Sequence, residues 1–291
     1  MYNIQNIFKP STLKEASSLL SQENSMIIAA GTDILIQIRE GRLADKILIS
    51  VQDIPELHGI EVINGDLHIG AMESFTNVQF NKDVLKLIPV LSEAVATIGG
   101  PQIRNMGTIG GNICNGVTSA DSPATLFAYN AELVIVGPNG KRTQAITDFY
   151  VRFGVVKLDQ GEILTKIIIK KDELKDRFGF YSKYAAREAM DVATSGCSIG
   201  LKLSDDKLSI EDIRIGFASG GPIPMRAYNT EKVINGKKIS AELVAELGAS
   251  CKNEVNPHSS WDASRDFRLQ ITHEISMRVF KEAIKRAGGV I

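Results

Sequence analysis

Two glycine-bearing segments hold the residue types and spacing best suited to binding chemistry. The first is Ile28-Ala29-Ala30-Gly31-Thr32-Asp33-Ile34-Leu35. A short apolar run enters a small-residue turn, and a helical pattern leaves it. Such a turn leaves several backbone N–H groups without partners at a helix N-terminus, where they suit a phosphate. Gly31 lets backbone approach closely. Asp33 is at odds with an anion, since a carboxylate beside a phosphate repels it, so it is expected to cap the helix or turn away. An ordinary βα turn shares this composition. The second segment is Thr108-Ile109-Gly110-Gly111-Asn112. Adjacent glycines followed by Asn form a nest-like place where backbone donors face an anion, with Thr108 and Asn112 adding side-chain donors. Asp121 follows, just ahead of a helical pattern, and its carboxylate suits a pair of ribose or ribityl hydroxyls. The alternative is a plain acidic residue at a helix start. Two such loops far apart in one chain point to a long diphosphate ligand between two lobes. That is a dinucleotide-like cofactor, whose identity the residues alone leave open.

Other chemistries find little support. There is no G-x-G-x-x-G after a strand and no G-x-x-x-x-G-K-[ST]. Gly196-Cys197-Ser198-Ile199-Gly200 fits the G-x-S-x-G pattern, but a nucleophile elbow needs a helix after it. Here Leu201 and Leu203 alternate around Lys202 as in a continuing strand. His58, His68, His258 and His273 show no ligand spacing. Cys114, Cys197 and Cys251 are far apart and form no CxxC pair, which argues against a zinc ribbon or a protein-held iron–sulfur cluster.

The elements that must position the two loops follow from periodicity. Thr12 caps a helix carrying Leu13, Ala16, Leu19 and Leu20, and residues 26–30 form a buried strand. A helix from Asp33 closes at Gly41, and 46–51 is a strand. Asn64-Gly65 marks a hairpin. Residues 83–98 are helical, with Pro89 dividing two helices or kinking one. The Gly/Asn/Ser/Thr-rich stretch 99–122 is expected to be loop for much of its length. A helix then restarts with Ser122 as cap and Pro123 at its first position. Strands follow around Pro138-Asn139-Gly140 and over 162–170. The charged run 170–177 reads as a solvated connector and a domain boundary. Beyond it, 178–186, 194–203 and 208–218 are strand-like, and 224–234, 240–251 and 264–287 are helical. The fold class is therefore α+β.

The chain has 291 residues, enough for two domains. Its formal net charge is −1, so it lacks the basic stripe that nucleic acid or a polybasic membrane anchor requires. Hydrophobic residues are 44% and charged residues 23%, which is globular and not disordered. The N-terminal residues form no signal-peptide pattern, and no stretch approaches a membrane span. With few cysteines, the expectation is a cytoplasmic protein in a reducing compartment.

Five segments, AAGTDILIQIREG, GGPQIRNMGTIGGNICNGVTSADS, GEILTKIII, KYAAREAMDVATSGC and PHSSWDASRDFRLQI, together resemble the FAD-binding subunits of the xanthine dehydrogenase family of molybdenum hydroxylases. The resemblance covers the whole chain. It implies a two-subdomain FAD-binding domain of the vanillyl-alcohol-oxidase (PCMH) type at 1–176, with subdomains about 1–55 and 56–176. A small α+β C-terminal domain, a three-stranded sheet plus helices, takes 177–291. Ile28 to Leu35 match the family's first pyrophosphate loop, and Thr108, Ile109, Gly110, Gly111 and Asn112 its second. Asp121 matches the acidic residue that holds FAD. Leu164 matches an apolar residue near the flavin or adenine, and Lys183 a lysine that reaches the cofactor. Ile98 falls where some relatives place an aromatic ring against the isoalloxazine. No catalytic base and no metal ligand is expected on this chain. The implied partners are a large subunit with the molybdenum cofactor and a small subunit with two [2Fe-2S] clusters, in a dimer of heterotrimers. Electrons would pass from the clusters through FAD to NAD, with xanthine or a related purine as the organic substrate. Another molybdenum hydroxylase (nicotinate, aldehyde, aromatic or carbon monoxide) and a stand-alone flavoprotein are the alternatives, and loss of the cofactor is a third.

Overall fold

A computed structural model describes residues 3–291 of the chain. Its first unit runs β1 (Ile4–Phe8), α1 (Leu13–Leu20), β2 (Ser25–Ile28), α2 (Ile34–Arg39) and β3 (Lys46–Ser50). Both β1 and β2 pair parallel to β3, giving the order β1-β3-β2. Thr12 caps α1 by accepting the Glu15 N–H at 3.2 Å. Gly41, at φ +76°, ends α2 as its left-handed residue. Ala16, Leu20, Ile49, Val51 and Ile54 form the core here. The strand β1 was not expected from sequence, because its three middle residues are exposed and show no apolar alternation.

The second unit begins with the hairpin β4 (Ile60–Ile63) and β5 (Asp66–Gly70). Asn64 and Gly65 both take positive φ, as a type I′ turn requires. Helices α3 (Phe75–Phe80), α4 (Lys82–Leu87), α5 (Pro89–Ala96), α6 (Pro101–Met106), α7 (Ile109–Cys114) and α8 (Asp121–Ala128) follow. Then come β6 (Glu132–Gly137), β7 (Gly140–Ala145), the small pair β8 (Tyr150–Arg152) and β9 (Val155–Val156), β10 (Ile163–Ile169) and α9 (Lys171–Leu174). The sheet order is β4-β5-β10-β6-β7, all antiparallel. Pro89 divides α4 from α5 as expected.

The expected long loop over 99–122 is a correction: two short helices, α6 and α7, occupy half of it. Pro101 opens α6 with its fixed φ, and Thr108 caps α7 by accepting the Gly111 N–H at 3.0 Å. Tertiary seating thus overrides the low helix propensity of adjacent glycines. Ser122 is likewise not a cap. Ala120 holds that position, Pro123 lies within the helix, and Ser122 donates to Asn112 Oδ1 at 2.7 Å. The charged run at 170–177 is not a free connector either. It winds into α9, with Leu174 and Arg177 buried.

The last unit is a sheet of β11 (Phe178–Tyr184), β12 (Ser195–Leu203), β13 (Ile210–Ala218) and β14 (Met225–Arg226), covered by α10 (Tyr228–Ile234), α11 (Ala241–Glu254) and α12 (Arg265–Arg286). It has four strands and not the expected three. Met225 and Arg226 pair with Phe217 and Gly216, so the helix expected from 224 starts at Tyr228. The helix α8, with all eight residues buried, packs on β12 and β13. Gly216 permits this approach, since an added Cβ there would run into the Ala124 carbonyl. That contact brings the start of α8 against β11.

Candidate functional site

The first loop lies between β2 and α2. Gly31 sits at φ +76°, a conformation that favours glycine. The N–H groups of Thr32, Asp33 and Ile34 make no hydrogen bond to the described residues, whereas Leu35 N–H bonds Gly31 O at 3.1 Å. These groups are the free donors the sequence pattern predicts. Asp33 is exposed and does not cap α2; its carboxylate turns along the helix to take the Gln37 side-chain amide. Ile28, Ala29 and Ala30 are half-buried, and Leu35 is exposed beside Gly31.

The second loop differs from the nest expected. Ile109 N–H bonds Glu73 O at 3.0 Å, Gly110 N–H bonds Ala71 O at 2.9 Å, and Asn112 N–H bonds Thr108 O at 3.0 Å. With Gly111 capped by Thr108, four successive donors are spent inside the chain. The two glycines then have opposite roles. Gly110 is buried, and an added Cβ would lie 2.6 Å from both Cβ and O of Ala71. Gly111 is exposed, with only the Thr108 hydroxyl near its Cβ position. The surface of the second loop is therefore a flush backbone face at Gly111. The segment Ala71–Glu73 ties the loops together: it accepts the α7 donors, while Met72 packs in the core against which Ala29 rests.

Asp121, Tyr181 and Lys183 form a buried cluster at the start of α8. Asp121 Oδ2 accepts from Lys183 Nζ at 2.9 Å, and Oδ1 accepts from the Tyr181 hydroxyl at 2.5 Å. Strand alternation puts Tyr181 and Lys183 on the same face of β11. Burial pushes the Asp121 carboxyl up, opposed by the Lys183 charge and by hydrogen bonds from Tyr181 and Lys183. Burial, then the Asp121 charge, holds the Tyr181 phenol well above its ordinary value, so the proton stays on the phenol. The residue pattern points to Asp121 and the family resemblance to Lys183, and the structure pairs them. Tyr181 went unnoticed; its signal was the i, i+2 spacing to Lys183.

Lys183 Nζ also bonds Thr97 O at 3.2 Å. Arg104 donates to Ile98 O and Gly99 O, both at 3.1 Å. Cations thus fix three successive carbonyls and set Ile98, half-buried, in the turn between α5 and α6. Leu164 is buried on β10 in the second unit's core, against which α7 packs. Burial pushes the Cys114 thiol up to about 12, so it is no thiolate at neutral pH. The G-x-S-x-G serine lies within β12, fully buried, accepting from Thr125 at 3.0 Å, with strand on both sides. An elbow is thereby excluded. Arg187, exposed, pairs with the half-buried Asp191 at 3.5 Å. Among the described residues no group of His, Cys, Asp and Glu could hold a metal ion, and no helix is long and apolar enough to cross a membrane.

Residues 2–170 match the family model described as the FAD binding domain in molybdopterin dehydrogenase, and residues 180–283 match the CO dehydrogenase flavoprotein C-terminal domain. The chain belongs to the FAD subunits of the molybdenum hydroxylases. It is 33% identical over 291 residues to a xanthine dehydrogenase FAD-binding subunit of Escherichia coli O157:H7, covering 99% of each chain. It is 28% identical to the carbon monoxide dehydrogenase medium chain of Hydrogenophaga pseudoflava, covering 95% of this chain and 96% of that one. A solved carbon monoxide dehydrogenase from the same organism, lacking the Mo-pyranopterin moiety of the molybdenum cofactor, superposes with a TM-score of 0.94 at 27% identity, over 98% of this chain and 99% of that one. The FAD subunit thus has an α+β architecture, a PCMH-type FAD-binding domain followed by the flavoprotein C-terminal domain. Its residues fit the cofactor. Free N–H groups at Thr32–Ile34 and the flush face at Gly111 suit a diphosphate, and the ion-paired Asp121 suits hydroxyl donors.

Proposed function

We propose that this chain is the FAD subunit of a xanthine dehydrogenase, taking electrons from [2Fe-2S] clusters of a small subunit and passing them to NAD. The observation that carries this reading is the end-to-end match to the xanthine dehydrogenase FAD-binding subunit. FAD domain and C-terminal domain divide at 176/177, after α9. The complex, a dimer of heterotrimers, includes a large subunit holding the molybdenum cofactor and works in the cytoplasm.

FAD, when bound, accepts electrons and releases them as hydride. The chain's own residues bind and orient. Thr32, Asp33 and Ile34 donate backbone N–H groups to one phosphate, with Gly31, Ala30, Ala29 and Ile28 shaping the approach and Leu35 flanking it. Thr108, Ile109, Gly110, Gly111 and Asn112 bring the second backbone face against the diphosphate. Asp121 accepts hydroxyl donors, Lys183 supplies the nearby positive charge, and Ile98 and Leu164 give apolar contact to the rings. No residue here is assigned a proton-transfer role.

A second reading, carbon monoxide in place of a purine, draws support from the structural likeness to carbon monoxide dehydrogenase. The test is steady-state assay of the chain purified with its partner subunits, offering xanthine, nicotinate or carbon monoxide in turn with NAD. NADH formation with xanthine is expected. Turnover with carbon monoxide or nicotinate and none with xanthine would overturn the purine assignment. Xanthine oxidation that ignores NAD would overturn the acceptor.

A further inference from the structure

The buried cluster on α8 contains one group that binding of FAD does not by itself require. Tyr181 is 3% exposed, and its hydroxyl donates to Asp121 Oδ1 at 2.5 Å. Space for its hydroxyl is built into the neighbouring strand. Gly196 on β12 faces Lys183, and an added Cβ there would lie 2.8 Å from the Tyr181 hydroxyl oxygen. Phenylalanine would fill the same volume, so packing accounts for the ring and not for the hydroxyl. A carboxylate has about four lone-pair positions. Lys183 and Tyr181 take one on each oxygen, which fixes the carboxylate plane and leaves acceptor sites for a ligand. Only the ionised form accepts at every position; a protonated one donates at one oxygen and binds hydroxyls less well.

We propose that Tyr181 is a positioning residue for the cofactor: its phenol holds the Asp121 carboxylate in one orientation and in its charged form, ready to accept hydroxyl donors of FAD. This rests on the reading of Asp121 as an FAD contact. The groups facing Asp121 are Tyr181 and Lys183 from β11 and Thr97 at the end of α5, whose carbonyl takes Lys183; Lys183 is the one charge acting on it among the described residues. The thiol of Cys197 on β12 lies near the phenol and stays protonated, because burial pushes it well up.

The hydroxyl hydrogen bond favours the carboxylate, so its loss moves protonation of Asp121 to higher pH. FAD affinity then begins to fall at higher pH on acidification. The experiment measures FAD dissociation from the full chain by flavin fluorescence, from about pH 8 to about pH 5, for the native protein, Tyr181→Phe and Asp121→Asn. Tyr181→Phe is expected to shift the acid limb upward by about one pH unit, with an affinity within about threefold of native at the top of the range. Asp121→Asn is expected to abolish the limb and weaken binding throughout. An infrared carbonyl band of a protonated buried carboxyl should emerge at higher pH in Tyr181→Phe, a readout that stands without FAD. A native profile in Tyr181→Phe, alongside weakened binding in Asp121→Asn, overturns the role of Tyr181 and keeps the site. Native affinity and profile in Asp121→Asn overturn the site reading itself.

Discussion

The two glycine loops look alike in sequence and differ in the structure. At Thr32–Ile34 the backbone donors are free, and a positive-φ glycine shapes the turn. At Ile109–Asn112 four donors are committed to Glu73, Ala71 and Thr108. On the proposed reading, the first loop would recognise by donation and the second by close approach. The lesson is that a glycine pair reports a backbone that something must approach closely, and that the two members can face different neighbours. Gly110 meets the protein, and Gly111 meets what lies outside it.

The most damaging test of that comparison is Gly111→Asp. A carboxylate about 4 Å from a phosphate costs about 4 kcal/mol at an effective dielectric near 20, roughly three orders of magnitude in Kd. Bound FAD should vanish while the circular dichroism stays native. Thr108→Asp should act in the same direction, since Asp is also a good helix cap. Native flavin content in both variants would remove this loop from the site.

Next comes the fold itself. Gly110→Ala should cost about 2–3 kcal/mol, because the added Cβ meets backbone that cannot yield. Gly111→Ala should stay within about 1 kcal/mol of native, the helix-propensity gain offsetting the shift of the Thr108 hydroxyl. Urea unfolding of the pair reads this, and equal losses would dissolve the distinction.

Away from the loops, the seam between α9 and the last sheet is held by charge. Arg177, whose side chain is 1% exposed, bonds Asp212, with Glu173 and Arg214 alongside. Burial raises the Asp212 carboxyl, but the Arg177 hydrogen bond and the charges of Arg177 and Arg214 outweigh it and hold it below the ordinary carboxylate value. A lowered folded-state value gives stability that is present above about pH 4 and is lost as pH falls through the folded value. Asp212→Asn should therefore cost about 1–2 kcal/mol near neutrality, allowing for partial solvent screening. The gap from native should narrow below about pH 4. A constant gap down to about pH 3 would contradict the pairing.

The smallest effect belongs to Asp33. Exposed and turned to Gln37, it should oppose phosphate binding by no more than about 1 kcal/mol at water's dielectric. Asp33→Asn should tighten FAD binding by up to about fivefold. Weaker binding would show that the carboxylate serves the site.

Local signals were legible in the sequence where one residue dictates geometry. Asn64-Gly65 made its hairpin, Thr12 its cap, and Pro89 its break. Helices α6 and α7 were not legible, because glycine and asparagine lower propensity there and, for α7, Ala71 and Glu73 accept the first N–H groups from a distant segment. Strand β14 is two residues long and exists through its pairing with β13. At the site, the loops and Asp121 were legible from residue types, and Lys183 only through the family resemblance. Their ion pair was not, since it depends on α8 lying on the last sheet, a contact that Gly216 permits. Tyr181 was missed for the same reason: its i, i+2 spacing to Lys183 marks a shared strand face but not the carboxylate that face meets.

The central claim is that these loops and Asp121 hold FAD. The most direct measurement is the visible absorption spectrum of the purified chain, alone and with its partner subunits, with the released chromophore identified by mass. The account predicts oxidised-flavin bands, the mass of FAD, and one FAD per chain. A protein that is colourless in both preparations, and stays colourless after FAD is added, would contradict it.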